Sequence, residues 1–228
     1  MADFVISPFP APAVPVKGGG LFPVRRIFCV GRNYAEHARE MGSDPDREPP
    51  FFFTKPGDAI VTGGADTRYP TKTASLHFEL ELVAAIGTGG ADIAEADALD
   101  HVWGYGVGID LTRRDMQAEA KKTARPWDMS KGFDMSAPMG ELVPATQIGH
   151  PASGRIELTV NGERRQSSNI DRMIWSIPEI IAHLSALVRL EPGDLIFTGT
   201  PEGVGAVERG ERLHGIVEGV GAVDTLIV

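Results

Sequence analysis

Apolar residues along this chain fall in short runs cut by glycine, proline and polar turns, a pattern that predicts many strands and few helices. Ile27 to Val30 reads as a short strand. A compact helix follows, with Asn33 as N-cap, Glu36 three positions on and Gly42 as its stop. Phe51 to Thr54 reads as a buried strand between prolines. In LHFELELV apolar and acidic positions alternate before an apolar continuation, which makes it the clearest strand of all. VWGYGVGID is a second apolar run; it ends at Asp110 and passes into a helix through Thr112 and Asp115. IELTVNGERRQ places Asn-Gly between an alternating strand and a polar return, a strong hairpin signal. Ser176, Pro178 and Glu179 open a helix whose Ile177, Ile180, Ile181, Leu184, Leu187 and Val188 recur at helical spacing. LEPGDLIFTGTPEGVG then gives a turn, a strand and a glycine-rich bend. No regular crossover helices separate the strands, so the expected fold is β-rich α+β and not a doubly wound sheet.

The 228 residues, 42% of them hydrophobic, suffice for one full core. The expected division is an N-terminal arm over 1–26 and a single domain over 27–228. The arm is rich in Pro, Ala and Gly and without period, so it reads as an extended lead-in or a disordered tail. Its start lacks a secretory pattern, and no apolar run is long enough for a membrane span, which points to the cytoplasm and to no membrane partner. Cys29, the single cysteine, lies in the apolar run IFCVG and reads as buried packing, as do Trp103 and Trp127. A net charge of -9 argues against a nucleic-acid partner. It also means that an anionic substrate would need a local positive site, from a metal ion or from a few placed basic residues.

Candidate chemistry sits on the clearest strand. Glu79 and Glu81 are two apart, so both leave one face about 6 to 7 Å apart. A lone E-x-E is commonly a solvated edge; here the flanking leucines and the VAAI run make it a core strand, where paired carboxylates call for a cation. Asp110 is either a third ligand or a helix cap. Three carboxylates suit Mg²⁺, Mn²⁺ or Ca²⁺ better than zinc. His37 and Glu40 share a helix face, as a water-activating pair or as a surface pair. The polar stretch after them suits a lid at about 33–48. Arg114 and Gln117, three apart near the next helix start, either grip substrate oxygens or face solvent. Lys131, among aromatic and apolar residues, suits an anionic substrate or an oxyanion. TGTPEGVG lacks the Gly-Lys-Ser/Thr ending of a phosphate loop, although its amides and the hydroxyls of Thr198 and Thr200 suit a carboxylate. His77, on the side of Glu79 and Glu81, reads as a support to the cluster or as core.

GRNYAEHAREMG, PFFFTKP, LHFELEL, GIDLTRRDMQ, PWDMSKGFD, NGERRQ and LIFTGTPEGVG, in this order and spacing, resemble the fumarylacetoacetate hydrolase family, especially its short bacterial acylpyruvate and fumarylpyruvate hydrolases. The resemblance runs from about Ile27 to the C-terminus. Many relatives have His-His before the first glutamate, where this chain has His77-Phe78. The resemblance implies a mixed-sheet β-roll and a homodimer, with Mg²⁺ or Mn²⁺ on Glu79, Glu81 and Asp110 and Ca²⁺ able to take the place in a crystal. It makes His37 and Glu40 the water-activating pair, and Arg114, Gln117, Lys131 and Thr200 contacts to substrate or oxyanion, with Arg32 and Tyr34 beside the lid. The implied activity is carbon–carbon hydrolysis of a 2,4-dioxo acid, fumarylpyruvate first, in aromatic-acid degradation. Keto-diacid decarboxylation or isomerisation, as of oxaloacetate, is the alternative on the same fold; a non-catalytic Ca²⁺-binding protein is the alternative from another class.

Overall fold

The computed structural model describes residues 4–40 and 48–228. Its centre is the strand Leu80–Ile86, every residue of which is buried. Alternation decides what each side chain meets. Leu80, Leu82, Ala84 and Ile86 enter the larger of two apolar cores, and Val83 and Ala85 the smaller. In sheet order the six central strands are Val143–Pro144, Val102–Ile109, Leu80–Ile86, Asp194–Phe197, Arg26–Gly31 and Phe51–Lys55. Asp194–Phe197 and Arg26–Gly31 pair in parallel and all other neighbours are antiparallel, so the sheet is mixed. The fold is strand-rich α+β, as the apolar pattern predicts.

A four-stranded antiparallel sheet built on Arg155–Val160 supplies Ile156, Leu158 and Val160 to the larger core. Its hairpin turns at Asn161 and Gly162, both at positive φ (51 and 83), as a tight two-residue turn requires. The helix Ile177–Leu187 opens at the expected Ser176, with a capping box: the Glu179 carboxylate accepts from the Ser176 amide at 2.9 Å and from its hydroxyl at 2.8 Å. Ile177, Ile180, Ile181 and Leu184 are buried, but Leu187 is 69% exposed. At 3.6 residues per turn, Leu187 lies roughly 70° off the centre of the buried stripe.

Four local expectations are corrected. Ala13–Pro15 and Leu21–Pro23, within the stretch expected to be an arm, form a hairpin that puts Val14 and Phe22 into the smaller core. Strands this short carry no readable period, and proline is tolerated in them where its missing N–H is not needed. Phe51–Lys55 is an edge strand, not a buried one, and Phe51 and Phe53 turn towards a pocket. The Asn33 side chain caps no helix, because it bonds to Trp175 and Thr198 instead. Thr112 does not cap the helix Arg114–Lys122, because its hydroxyl is turned to Glu79. Gly42, the expected stop, lies outside the described residues. Among the described residues no helix is long and apolar enough to cross a membrane.

Candidate active site

Strand pairing assembles the carboxylates. Glu81 lies on the central strand, on the face of Val83 and Ala85, and Glu79 stands at the step between Leu76–Phe78 and Leu80–Ile86. Ile109 pairs with Leu80, so the next residue, Asp110, arrives beside Glu79, and its amide donates to the Glu79 carbonyl at 2.8 Å. One oxygen from each of Glu79, Glu81 and Asp110 lies within 4.8 Å of the others, and all three residues are buried.

Buried like charges need compensation, and the site supplies it unevenly. The Lys131 ammonium donates to Glu79 Oε2 at 2.9 Å and to Asp110 Oδ2 at 2.6 Å. Arg114 and the Thr112 hydroxyl bond to Glu79 Oε1. Burial pushes the Glu79 carboxyl up, but Lys131 and Arg114 outweigh it and hold it well below the usual range. Glu81 receives one backbone donor, Gly199 N at 2.7 Å. Burial, and then Asp110 and Glu79, push its carboxyl well above the usual range. The missing charge is thus at Glu81. A donor set made of oxygens alone, with one carboxylate uncompensated, fits a hard divalent cation, and each bonded oxygen keeps a second lone pair for it.

The Gly199 amide reaches Glu81 through an exact local fit of two backbones. Gly199 has φ +97, and a Cβ there would stand 2.6 Å from the Asn33 Cβ. Asn33 in turn joins three segments: its Nδ2 donates to the carbonyls of Trp175 at 2.9 Å and Thr198 at 2.7 Å, and its Oδ1 accepts from the Trp175 amide at 2.7 Å.

The helix Ala35–Glu40 starts two residues beyond this junction. Its His37 is buried and lines the same pocket as Glu79 and Glu81. Burial lowers the His37 pKa, and Glu79 offsets this only in part. The expected pair is near but unbonded: His37 Nδ1 lies 3.7 Å from Glu40 Oε2, while that carboxylate accepts from the Gly203 amide at 3.1 and 3.2 Å.

Arg114, Gln117, Thr200, Lys131 and Arg32 also line this pocket. Arg114 Nη1 donates to Gln117 Oε1 at 2.6 Å, so the helical spacing does bring these two together. Asp110 lies beneath, fully buried, and Tyr34 is buried with its hydroxyl unpartnered. His77 does not line the pocket; it lies in a separate three-stranded sheet, with Nε2 3.1 Å from the Ser75 hydroxyl. Thr198 spends its hydroxyl on the Leu82 carbonyl.

Several residues of the site carry no signal in the sequence. Lys55 is fully buried with its ammonium 2.7 Å from Asp110 Oδ1, and it also donates to the carbonyls of Leu111 and Lys131. Gln166 donates to the Thr200 hydroxyl at 2.9 Å and accepts from the Leu80 amide at 3.0 Å. Trp127, expected as packing, lines the pocket with Phe51 and Phe53. Cys29 is buried packing as expected.

Residues 26–228 match the family described as fumarylacetoacetate (FAA) hydrolase, C-terminal. The chain belongs to the fumarylacetoacetate hydrolase family. Among its relatives in that family, a fumarylpyruvate hydrolase from Ralstonia sp is 44% identical over 189 residues, 82% of this chain and 98% of that protein. The mitochondrial oxaloacetate tautomerase of Rattus norvegicus is 43% identical over 196 residues, 86% of this chain and 88% of that one. The crystal structure of fumarylpyruvate hydrolase from Pseudomonas aeruginosa in complex with Mn²⁺ and pyruvate is 53% identical, with a TM-score of 0.97 over 99% of both chains. Fumarylacetoacetate hydrolase relatives thus include both a hydrolase and a tautomerase at nearly equal identity. Phe78, next to His77, belongs to the larger core of this chain.

Proposed function

We propose that this protein is a divalent-metal-dependent hydrolase that cleaves the carbon–carbon bond of an acylpyruvate, fumarylpyruvate first, to give fumarate and pyruvate. The observation that carries the reading is the buried Glu79, Glu81 and Asp110 cluster with His37 over the same pocket. The Mn²⁺ and pyruvate of the 53% identical neighbour support it.

Glu79, Glu81 and Asp110 would hold Mg²⁺ or Mn²⁺. Such an ion, when bound, supplies Lewis acidity to a chelating 2-oxo acid and carries negative charge that develops on its pyruvate half. The chain's own residues do the rest. With Nδ1–H turned to Glu40, His37 has Nε2 free as a base to take a proton from water, whose oxygen then bonds to the distal carbonyl carbon. A small rotation of either side chain closes the 3.7 Å between His37 and Glu40. Lys131 has one N–H beyond those given to Glu79 and Asp110, and Gln117 an amide NH₂, for the oxyanion that forms. As the carbon–carbon bond breaks, the electron pair leaves on the pyruvate half, and the proton held by His37 is available to its carbon. Arg114, Arg32 and Thr200 line the space for the substrate, and Tyr34 precedes the helix that carries His37 and Glu40. The exposed Phe4, Val5, Ile6 and Phe9 accord with a homodimer.

The test is turnover of fumarylpyruvate, maleylpyruvate, acetylpyruvate and oxaloacetate side by side with Mg²⁺, read with calorimetric Mn²⁺ binding. His37→Ala is expected to lose turnover and keep the metal, and Glu81→Ala to lose both. Equal metal loss in the two variants counts against the assignment. The second reading, tautomerisation or decarboxylation of a keto diacid, is favoured by the 43% identical tautomerase. It needs no attacking water, so oxaloacetate turnover retained in His37→Ala, without cleavage of any acylpyruvate by the native enzyme, would select it.

A further inference from the structure

The pocket holds more cations than those paired with its floor. Of the three carboxylates below, Glu79 and Asp110 are met by Lys131, Lys55 and Arg114, and Glu81 is left to the metal ion. Two further cations, Arg32 and Lys121, line the same pocket, and among the described residues neither forms an ion pair with a carboxylate. In a chain of net charge -9, two cations without a carboxylate partner among the described residues make a local positive patch at one opening, suited to an anion.

Their placement is specific. The Arg32 guanidinium lies 5.5 Å from the centre of the Phe51 ring, and the Lys121 ammonium 5.1 Å from that of Trp127. The two rings meet edge to face, with centroids 5.5 Å apart. The result is a continuous series of cation, ring, ring and cation. The rings also exclude water on one side, which strengthens attraction between charges. Arg32 holds a left-handed backbone, φ 61, a conformation rarely adopted by a long side chain without a reason. Burial, and then the nearby Arg114 and Arg32, depress the Lys121 pKa, and Glu79 offsets this only in part. Burial also orders the pocket in depth: Glu81 and Asp110 are inaccessible at the floor, whereas Lys121 is exposed at the rim.

We propose that Arg32 and Lys121 form a second carboxylate subsite at the rim, so that the site selects 2-oxo acids bearing another carboxylate at the far end. This deepens the acylpyruvate reading and rests on it for which end of the ligand faces the floor. It assigns the rim to the terminal carboxylate of the acyl group, with Phe51 and Trp127 against the chain between the two ends.

Two uncleavable acids of equal length separate this from general affinity for anions. Calorimetry on the Mn²⁺-loaded protein is expected to find 2-oxoadipate bound about tenfold more tightly than 2-oxohexanoate, the size of one charge-assisted contact. In Lys121→Met that preference collapses, and in Lys121→Arg it persists. Equal affinity of the native protein for the two acids, or equal weakening of both in Lys121→Met, overturns the subsite. Cleavage of fumarylpyruvate and acetylpyruvate by the native enzyme is read separately. If neither is cleaved while the preference for the dicarboxylate holds, the acylpyruvate reading fails and the subsite stands.

Discussion

His37 shows how much of a base is made by its surroundings. Its ordinary value is about 6.5, and burial lowers it here. Below its own pKa the imidazole is protonated and cannot accept a proton, so a depressed value moves the acid limb of kcat/KM to below about pH 6.5. Glu40 raises the His37 pKa. Glu40→Gln is therefore expected to move the limb further towards acid while lowering kcat; a limb that moves towards neutrality would exclude His37 as the group observed. Glu79, Glu81 and His37 were legible because a two-residue strand spacing and a three-residue helical spacing fix directions before any tertiary contact exists. Lys55 was not. A lysine before a proline reads as surface, and only the pairing of Phe51–Lys55 with Arg26–Gly31 carries it under Asp110. Trp127 failed for the opposite reason, since an aromatic side chain looks the same in a core and in a pocket wall.

At the scale of elements, the glycine-rich bend after Asp194–Phe197 joins the carboxylates to the helix Ala35–Glu40. Gly199 gives its amide to Glu81, and Gly203 gives its amide to Glu40. Gly199→Ala would drive a methyl into Asn33 from a strained φ, and is expected to cost about 1 to 3 kcal/mol in chemical denaturation and to weaken Mn²⁺ binding. Gly210→Ala is the control: its φ is +86, but no atom lies within 4 Å of the added carbon, so it bears backbone strain without a clash and leaves metal affinity alone. Strands, hairpin and the helix start at Ser176 were readable from local pattern. The helix starts at Asn33 and Thr112 were not, because each polar side chain had a capping bond available and a long-range one, and the long-range bond won.

For the whole molecule, a buried carboxylate left short of positive charge means that cation binding and folding reinforce each other. Mn²⁺ at about a hundred times its Kd adds roughly 2.7 kcal/mol, which for a chain of this size raises Tm by about 5 to 10 °C. Glu81→Ala is expected to abolish that rise, and a full shift in the variant would place the ion elsewhere. The apolar pattern foretold the strand-rich class, while the order of strands in the mixed sheet depends on pairings distant in the chain and was out of reach. The bond from Lys131 to both Glu79 and Asp110 has one more consequence. This ammonium is a tethered counter-ion, so Glu79 and Asp110 keep a charge partner whether or not a metal is bound. Which hard cation fills the site is then set by each ion's concentration in the surrounding medium relative to its Kd.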